Sequence, residues 1–278
     1  MIVRRFLGLR VLGTLAAALF SAPQFAAAYP GGTPDFQTDA APFCAACHSS
    51  TSVEALDGAG PRAEKEVAAQ KHLAPILQGE GSYEKLSEAD RALLVQQIEA
   101  LDANSGIELV DYPPQVDPGA TFTVTAQVTG GAGPVVGVGL VDRAHRWYAR
   151  PASAIGWEVV GAPTIIGPDG RPQRDWLDAR PERFGRAITF VNVTGIESDA
   201  VVGKWSKAKV VFNLRAPSRV GDYPLVGVYL YGTETATKLG SAVHPIYQTK
   251  QPLGGYGGKS GRVAFTAPAI ISVKPAAK

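Results

Sequence analysis

Two cysteines and a histidine form a short motif with the spacing of a cofactor attachment site. Cys44 and Cys47 are separated by two alanines, and His48 follows directly. Two thiols at this separation can add across the two vinyl groups of a porphyrin, and the adjacent imidazole can coordinate the iron from one face. The motif therefore predicts one covalent haem c, attached through Cys44 and Cys47, with His48 as the proximal iron ligand.

Two other kinds of site use a pair of cysteines at this spacing. A redox disulfide of the thioredoxin type is expected within a βαβ pattern, which this sequence lacks. A zinc site requires about four ligands, and the chain contains no cysteine besides this pair. We therefore favour haem attachment over both alternatives.

Residues 1–28 have the composition of a secretory signal peptide. Three arginines lie within the first ten residues, a short apolar run follows at 11–20, and residues 26–28 are alanines suited to cleavage. The sequence predicts export from a bacterial cytoplasm to the periplasm or beyond, with an uncleaved anchor as the alternative. No later stretch approaches the ~20 consecutive apolar residues of a membrane helix, so we expect no stable membrane insertion after cleavage.

The charge of the mature chain argues against a nucleic-acid partner. Without the three signal-peptide arginines, 24 basic residues face 25 acidic residues. No run rich in lysine or arginine provides the electrostatic footprint that nucleic-acid binding requires. We expect redox proteins as partners instead.

The sixth coordination position of the iron needs a second ligand. Met1 is the only methionine of the chain, and it leaves with the predicted signal peptide. His72 is the candidate distal iron ligand, because it lies on a largely apolar face of a predicted helix in the same segment as the motif. His145 and His244 are expected to be solvated polar residues, and a lysine, the mature amino terminus or an open position remain alternatives.

The elements that must position these residues fall into two parts. Helices are predicted over 61–74, ending near Pro75, and over 87–103, where Ser87 and Asp90 are spaced like a capping box. After Gly106 the apolar period changes from 3.6 to 2 residues, which is typical of half-buried strands. We predict a signal peptide at 1–28, a haem domain at 29–105 and a domain of about eight strands at 106–278.

Cys44–His48, followed by the helical sequence at 86–95, resembles a small c-type cytochrome module over about residues 36–103. The resemblance implies covalent haem and electron transfer. Two departures stand out, because the usual helix ahead of the motif is missing or very short and the usual downstream methionine ligand is absent.

The strand-rich part carries two further resemblances. Residues 220–228 resemble the late corner of an immunoglobulin-like or fibronectin-like sandwich, in which a tyrosine hydroxyl, here that of Tyr223, bonds back to the backbone. Residues 112–124 resemble the opening of reelin-type secreted sandwich domains. The expected fold class is a multidomain α+β protein, with a small α-helical cytochrome c-like domain followed by an all-β immunoglobulin-like sandwich.

The expected function is that of an exported mono-haem c-type cytochrome acting in electron transfer. The β-sandwich would dock a redox partner or cover the haem, and the protein would be an electron carrier rather than a catalyst. One alternative is a haem enzyme or gas sensor with an open distal site. Another is an adhesion or assembly module with an accessory haem.

Overall fold

The computed structural model describes residues 72–145, 149–246, 248–255 and 260–275. Within these residues the chain is mostly β, with fourteen strands and three α-helices. The helices are α1 (Ala74–Gln78), α2 (Glu88–Ala103) and α3 (Asp175–Ala179). The strands are β1 (Gly106–Val110), β2 (Gln115–Val116), β3 (Thr121–Thr129), β4 (Ala132–Val141), β5 (Glu158–Val159), β6 (Thr164–Ile166), β7 (Pro172–Gln173), β8 (Phe190–Thr194), β9 (Lys207–Arg215), β10 (Gly221–Gly232), β11 (Ser241–Val243), β12 (Lys250–Pro252), β13 (Gly261–Phe265) and β14 (Ala269–Val273).

Two six-stranded sheets form the body of the described chain. The first has the order β1-β3-β9-β6-β7, with β5 also paired to β9, and the second has the order β2-β14-β10-β4-β8, with β13 also paired to β10. The strand pairs are antiparallel except for β2 with β14. Strands β11 and β12 form a separate hairpin.

The two sheets pack face to face around one apolar core. Val124 and Phe212 enter it from the first sheet, and Val138, Leu140 and Ile271 enter it from the second. These side chains are at most 1% exposed. Removing such side chains from water is the main favourable contribution to folding, so the β-sandwich is the stable base of the described structure.

Strand β9 shows how the sequence produces this arrangement. Its even-numbered residues from Ala208 to Leu214 are buried, whereas the residues between them are exposed or half-buried. Side chains alternate between the two faces of a strand, so the predicted alternation is confirmed. Its neighbour β3 runs antiparallel to it, with Thr125 opposite Val211.

Helix α2 begins and ends where the sequence predicts. The Ser87 hydroxyl caps it by accepting a hydrogen bond from the Asp90 backbone N–H over 3.1 Å. The same hydroxyl donates to Asp90 Oδ2 over 2.7 Å, an arrangement that the shorter aspartate side chain adopts instead of the reciprocal bond of a full capping box. The Asn104 amide donates to the Ala100 carbonyl at the C-terminal end.

The predicted end of the preceding helix near Pro75 is wrong. Pro75 lies in the first turn of α1, which continues to Gln78 and ends at Gly79. The first turn has no intrahelical acceptor for its N–H groups, so a proline costs little there. Gly79 terminates the helix with a left-handed φ of 71°.

The expected fold class is wrong as well. The described residues are mostly β, and they show no small α-helical cytochrome domain. Helices α1 and α2 lie against the β11–β12 region of the strand-rich part, where Leu239 and Leu253 pack on their apolar side chains. One short 3₁₀ helix (Gly81–Lys85) joins α1 to α2. Two helices alone cannot cover their apolar faces, so they bury them against the surface of the strand-rich part.

The tyrosine contact expected at the late sandwich corner is present. Tyr223 lies near the start of β10, and its hydroxyl donates to the Arg219 carbonyl over 3.0 Å. Its ring also contacts Trp157, whose indole is 1% exposed and donates to the Pro224 carbonyl. The corner therefore joins a backbone turn to the sandwich core.

Candidate functional site

Of the predicted site residues, the structure describes one. Cys44, Cys47 and His48 lie outside the described residues, and their roles stay predictions. His72 is the first described residue and is 1% exposed. His72 and Leu73 form a π-helical turn that leads into α1.

Helix α1 is held against α2 by a small apolar cluster. Ile76 of α1 packs with Leu94 and Ile98 of α2, and Tyr83 of the intervening 3₁₀ helix joins them. All four side chains are at most 1% exposed. The cluster therefore packs α1, and with it the turn that contains His72, against the longer helix α2.

A buried tyrosine–glutamate contact attaches this helical segment to the strand-rich part. The Tyr83 hydroxyl donates to Glu234 Oε1 over 2.5 Å, and the Gly254 N–H donates to Glu234 Oε2 over 2.8 Å. Glu234 follows β10 and is 0% exposed. A Cβ added to Gly254 would lie 1.9 Å from the tyrosine oxygen, so only glycine leaves room for this contact.

The pKa of the Glu234 carboxyl is raised above its ordinary value. Burial is the largest cause, and the hydrogen bonds from Gly254 and Tyr83 oppose it in part. Burial also raises the pKa of the Tyr83 hydroxyl, and the neighbouring carboxylate adds to that shift. At ordinary pH the phenol therefore keeps its proton and donates it in a hydrogen bond to Glu234, while burial makes the ionised form of the Glu234 carboxyl less favourable than it is in water.

A second polar contact lies at the other end of α2. Arg262 of β13 donates from Nε to Asp102 Oδ2 over 3.0 Å, and the Tyr231 hydroxyl donates to Asp102 Oδ1 over 3.1 Å. The arginine side chain is 9% exposed and the aspartate side chain 29%. An ion pair with this little solvent is screened weakly, and removing either partner leaves a poorly hydrated charge.

A third contact joins the end of α2 to the β3–β4 turn. The Ser105 hydroxyl accepts from the Gly131 N–H over 2.7 Å, and the Tyr229 hydroxyl donates to the Gly130 carbonyl over 3.0 Å. Both glycines have φ near 70°, and an added Cβ would meet Asn104 at one and Tyr229 at the other. We call these three contacts, made by Tyr83, Asp102 and Ser105 with the strand-rich part, the helix–sandwich junction.

The other two histidines lie in connections between strands. His145 is half-buried in the connection after β4, where its carbonyl accepts from the Ala149 N–H. His244 lies in the β11–β12 turn, and its Nδ1 accepts from the Ile246 N–H over 3.2 Å. The turn thus occupies one imidazole nitrogen of His244, which is half-buried.

An open groove of about 790 Å³ runs across the outer face of the first sheet. Neighbouring strands place Glu108, Gln127 and Lys209 side by side along it. Its lining comprises residues 103–108, 127–129, 166–168, 170 and 207–209. Its charged lining residues are Glu108, Lys207 and Lys209, so the groove carries a small excess of positive charge.

Two features of the described ranges bear on function. Among them, no group of three or more His, Cys, Asp or Glu side chains is arranged to hold a metal ion. None of the helices that the structure describes is long and apolar enough to cross a membrane.

Sequence reasoning missed the residues that fix the helical segment in place. Glu234 and Arg262 are separated from their partners by 151 and 160 positions, and neither belongs to a local motif. A glutamate and an arginine in strand-rich sequence ordinarily indicate solvated positions. The available signal was the pair of aromatic residues in β10, Tyr229 and Tyr231, whose hydroxyls need partners when they are buried.

Comparisons with known proteins leave the family of this chain open. No protein-family model and no curated protein matches it. One similar solved structure is described as "AvmM Catalyzes Macrocyclization in Alchivemycin A Biosynthesis", with 14% identity, 63% of this chain and 92% of that chain covered, and a TM-score of 0.29. Another is a PapD-like domain of human CEP192, with 12% identity, 63% and 89% covered, and a TM-score of 0.21.

Proposed function

We propose that this protein is an exported mono-haem c-type cytochrome that transfers electrons. The observation that carries the proposal is the pentapeptide from Cys44 to His48, placed shortly after a predicted signal peptide in a chain with no other cysteine. Haem bound there would supply a one-electron ferrous–ferric couple. Cys44 and Cys47 would hold it covalently, and His48 would coordinate its iron.

His72 is the proposed distal ligand. Its side chain is 1% exposed, and a ligand must be shielded from water and fixed in direction to compete for the sixth position. Helices α1 and α2 and the helix–sandwich junction provide that fixed base. A second imidazole in place of a thioether stabilises ferric iron, so we expect a low reduction potential.

The strand-rich part would serve as the base that carries the helical segment and as a surface for redox partners. The junction supports the first role, because three contacts connect α2 and its preceding turn to the segment after β10, to β13 and to the β3–β4 turn. A segment attached at several points keeps its histidine in a constant position, which lowers the reorganisation that accompanies electron transfer.

A spectrum of the mature protein tests the attachment. We expect a reduced-minus-oxidised difference spectrum of a c-type cytochrome, and haem that stays with the polypeptide on a denaturing gel. Replacing Cys44 and Cys47 with serine should abolish both signals. An unmodified, colourless mature protein produced alongside a working haem-attachment system would refute the proposal.

Substitution of His72 tests the distal ligand. His72→Ala should convert a low-spin six-coordinate spectrum to a high-spin one that binds CO, whereas His72→Met should restore six-coordination at a higher potential. His244→Ala is the matched control, since that imidazole caps an exposed turn. An unchanged low-spin spectrum in His72→Ala would remove His72 as ligand, and rapid CO binding by the unaltered protein would favour the gas sensor or enzyme.

A further inference from the structure

Two arginine-containing connections leave the same end of the second sheet. Strand β4 runs antiparallel to β8, with Gly139 opposite Phe190, so the connection after β4 and the connection before β8 are neighbours. The described parts of these connections, residues 142–145, 149–151 and 180–188, together contain five arginines and two acidic residues. The mature chain as a whole is nearly balanced, so this end is a local concentration of positive charge.

A buried carboxylate holds two of these arginines in place. Asp142 accepts from Arg143 Nη2 over 3.0 Å and from Arg150 Nε over 2.9 Å, while the Arg150 backbone N–H donates to its other oxygen. The aspartate side chain is 2% exposed, but those of Arg143 and Arg150 are 51% and 53% exposed. Solvent therefore reaches the guanidinium groups and not the acid that fixes them.

The Asp142 carboxyl stays ionised in this arrangement. Burial alone would raise its pKa, but the hydrogen bonds from Arg150 and Arg143 outweigh burial and lower it. Two guanidinium groups paired with one carboxylate carry a net positive charge. Their hydrogen bonds to Asp142 fix the direction in which the guanidinium groups point. Pre-positioned arginines lose less side-chain entropy when they bind a second anion.

The neighbouring connection presents an arginine and an aromatic ring to solvent. Arg183 lies over the Phe184 ring, 4.9 Å from its centre, and Phe184 is 36% exposed. Buried Arg180 stabilises this loop from below by donating to the Phe184 and Gly185 carbonyls. Arginine beside an exposed aromatic ring is the composition typical of the centre of protein interfaces.

We propose that this end, defined by Arg143, Arg150, Arg183 and Phe184 and called the arginine end, is the docking surface for an acidic protein partner. Glutamate and aspartate carboxylates of the partner would bind the outward edges of the fixed guanidinium groups, and Phe184 would pack against its apolar surface. The redox role of that partner rests on the proposed function, whereas the binding itself does not require the haem.

The net charge of the arginine end favours a protein over a polyanion. Asp142 neutralises part of the charge of its two arginines, and Phe184 adds apolar area that a phosphate chain would not use. Protein interfaces combine fixed charges with exposed apolar area, whereas sites that bind nucleic acid or anionic lipid carry a denser positive charge.

Binding of a labelled polyglutamate peptide to the full mature protein at low ionic strength tests the proposal. Replacing both Arg143 and Arg150 with glutamine should weaken binding about tenfold. A second variant, Arg183→Gln with Phe184→Ser, leaves every hydrogen bond of Asp142 in place and should also weaken binding. The control is Arg171→Gln, which removes an 84% exposed arginine from the β6–β7 turn at the opposite end.

The outcomes of this experiment distinguish an acidic protein partner from other ligands of the arginine end. Unchanged binding in both arginine-end variants, or an equal loss in Arg171→Gln, would overturn the proposal. Tighter binding of polyphosphate or of phosphatidylglycerol vesicles than of polyglutamate would reassign the surface to another class of ligand. Selective polyglutamate binding by a protein that carries no haem after production alongside a working haem-attachment system would support the docking surface and refute the proposed function.

Discussion

The sandwich core is fully buried and the helix–sandwich junction is buried or half-buried, and the two are stabilised in different ways. Core residues such as Val138 and Phe212 are apolar and interlock between two sheets. The junction adds directed contacts of Tyr83 with Glu234 and of Asp102 with Arg262. Apolar packing depends on volume and tolerates small shifts, whereas a buried hydrogen bond depends on direction and protonation. The position of the helical segment should therefore respond to changes that leave the sandwich intact.

The largest effect is expected from a cavity in the core. Phe212→Ala removes a 0% exposed ring at the centre of β9, and we expect a loss of about 3–5 kcal/mol in the free energy of unfolding. Urea denaturation measures it. The control Ile270→Ala truncates a side chain that is 55% exposed on β14 and should cost less than about 1 kcal/mol. Equal costs for the two variants would contradict the assignment of the core.

A smaller and more local loss of stability is expected when a methyl group is added inside the helix–sandwich junction. Gly254→Ala places a methyl group 1.9 Å from the Tyr83 hydroxyl oxygen, so the tyrosine must move at a cost of about 1–3 kcal/mol. Hydrogen exchange should speed up in α1 and α2 and stay slow in β3 and β9. Gly106→Ala is the control, because its methyl group would meet open space. Faster exchange throughout the sandwich would show that the two regions do not respond separately.

The junction should also give the protein a distinctive pH dependence. Burial raises the pKa of Glu234 in the folded state, so its contribution to stability is complete below its unfolded pKa and is lost as the pH rises through the folded value. Glu234→Gln should remove this decline, which has a limiting slope of about 1.4 kcal/mol per pH unit. Urea denaturation at a series of pH values measures the difference.

Asp142→Asn is the matched comparison of opposite sign. The pKa of Asp142 is lowered by its hydrogen bonds to arginine, so its contribution is present above the unfolded pKa and is lost as the pH falls through the folded value. The two variants should therefore change the pH profile in opposite directions. A parallel shift in both would contradict the roles assigned to these carboxyls.

The smallest effect is expected at the sandwich corner. Tyr223→Phe removes the hydroxyl that donates to the Arg219 carbonyl and should cost about 0.5–1.5 kcal/mol, measured by thermal or urea unfolding. The ring and its contact with Trp157 remain. The control is Tyr112→Phe, at a second partly buried tyrosine that packs against the same core, and a larger loss there than at Tyr223 would show that the corner contact does not stabilise the sandwich.

Local elements could be predicted from the sequence because their causes are local. The cap at Ser87, the strand alternation at 208–214 and the Tyr223 contact all depend on residues within a few positions of one another. The end of α1 was predicted incorrectly because Pro75 has opposite effects in the first turn and in the interior of a helix. Which effect applies depends on where the helix begins, and local sequence specifies helix boundaries only weakly.

The sequence by itself determined the Cys44–His48 spacing on which the proposed haem attachment rests, the single methionine at position 1, and the alternation that builds the sheets. Only the tertiary structure decided that His72 is buried, that α1 and α2 lie on the strand-rich part, and that Glu234 and Arg262 hold them there. Motifs and alternation follow from bonds and periods along the chain. Contacts between residues 151 or 160 positions apart arise only when folding brings two buried surfaces together and each polar group on them must find a partner.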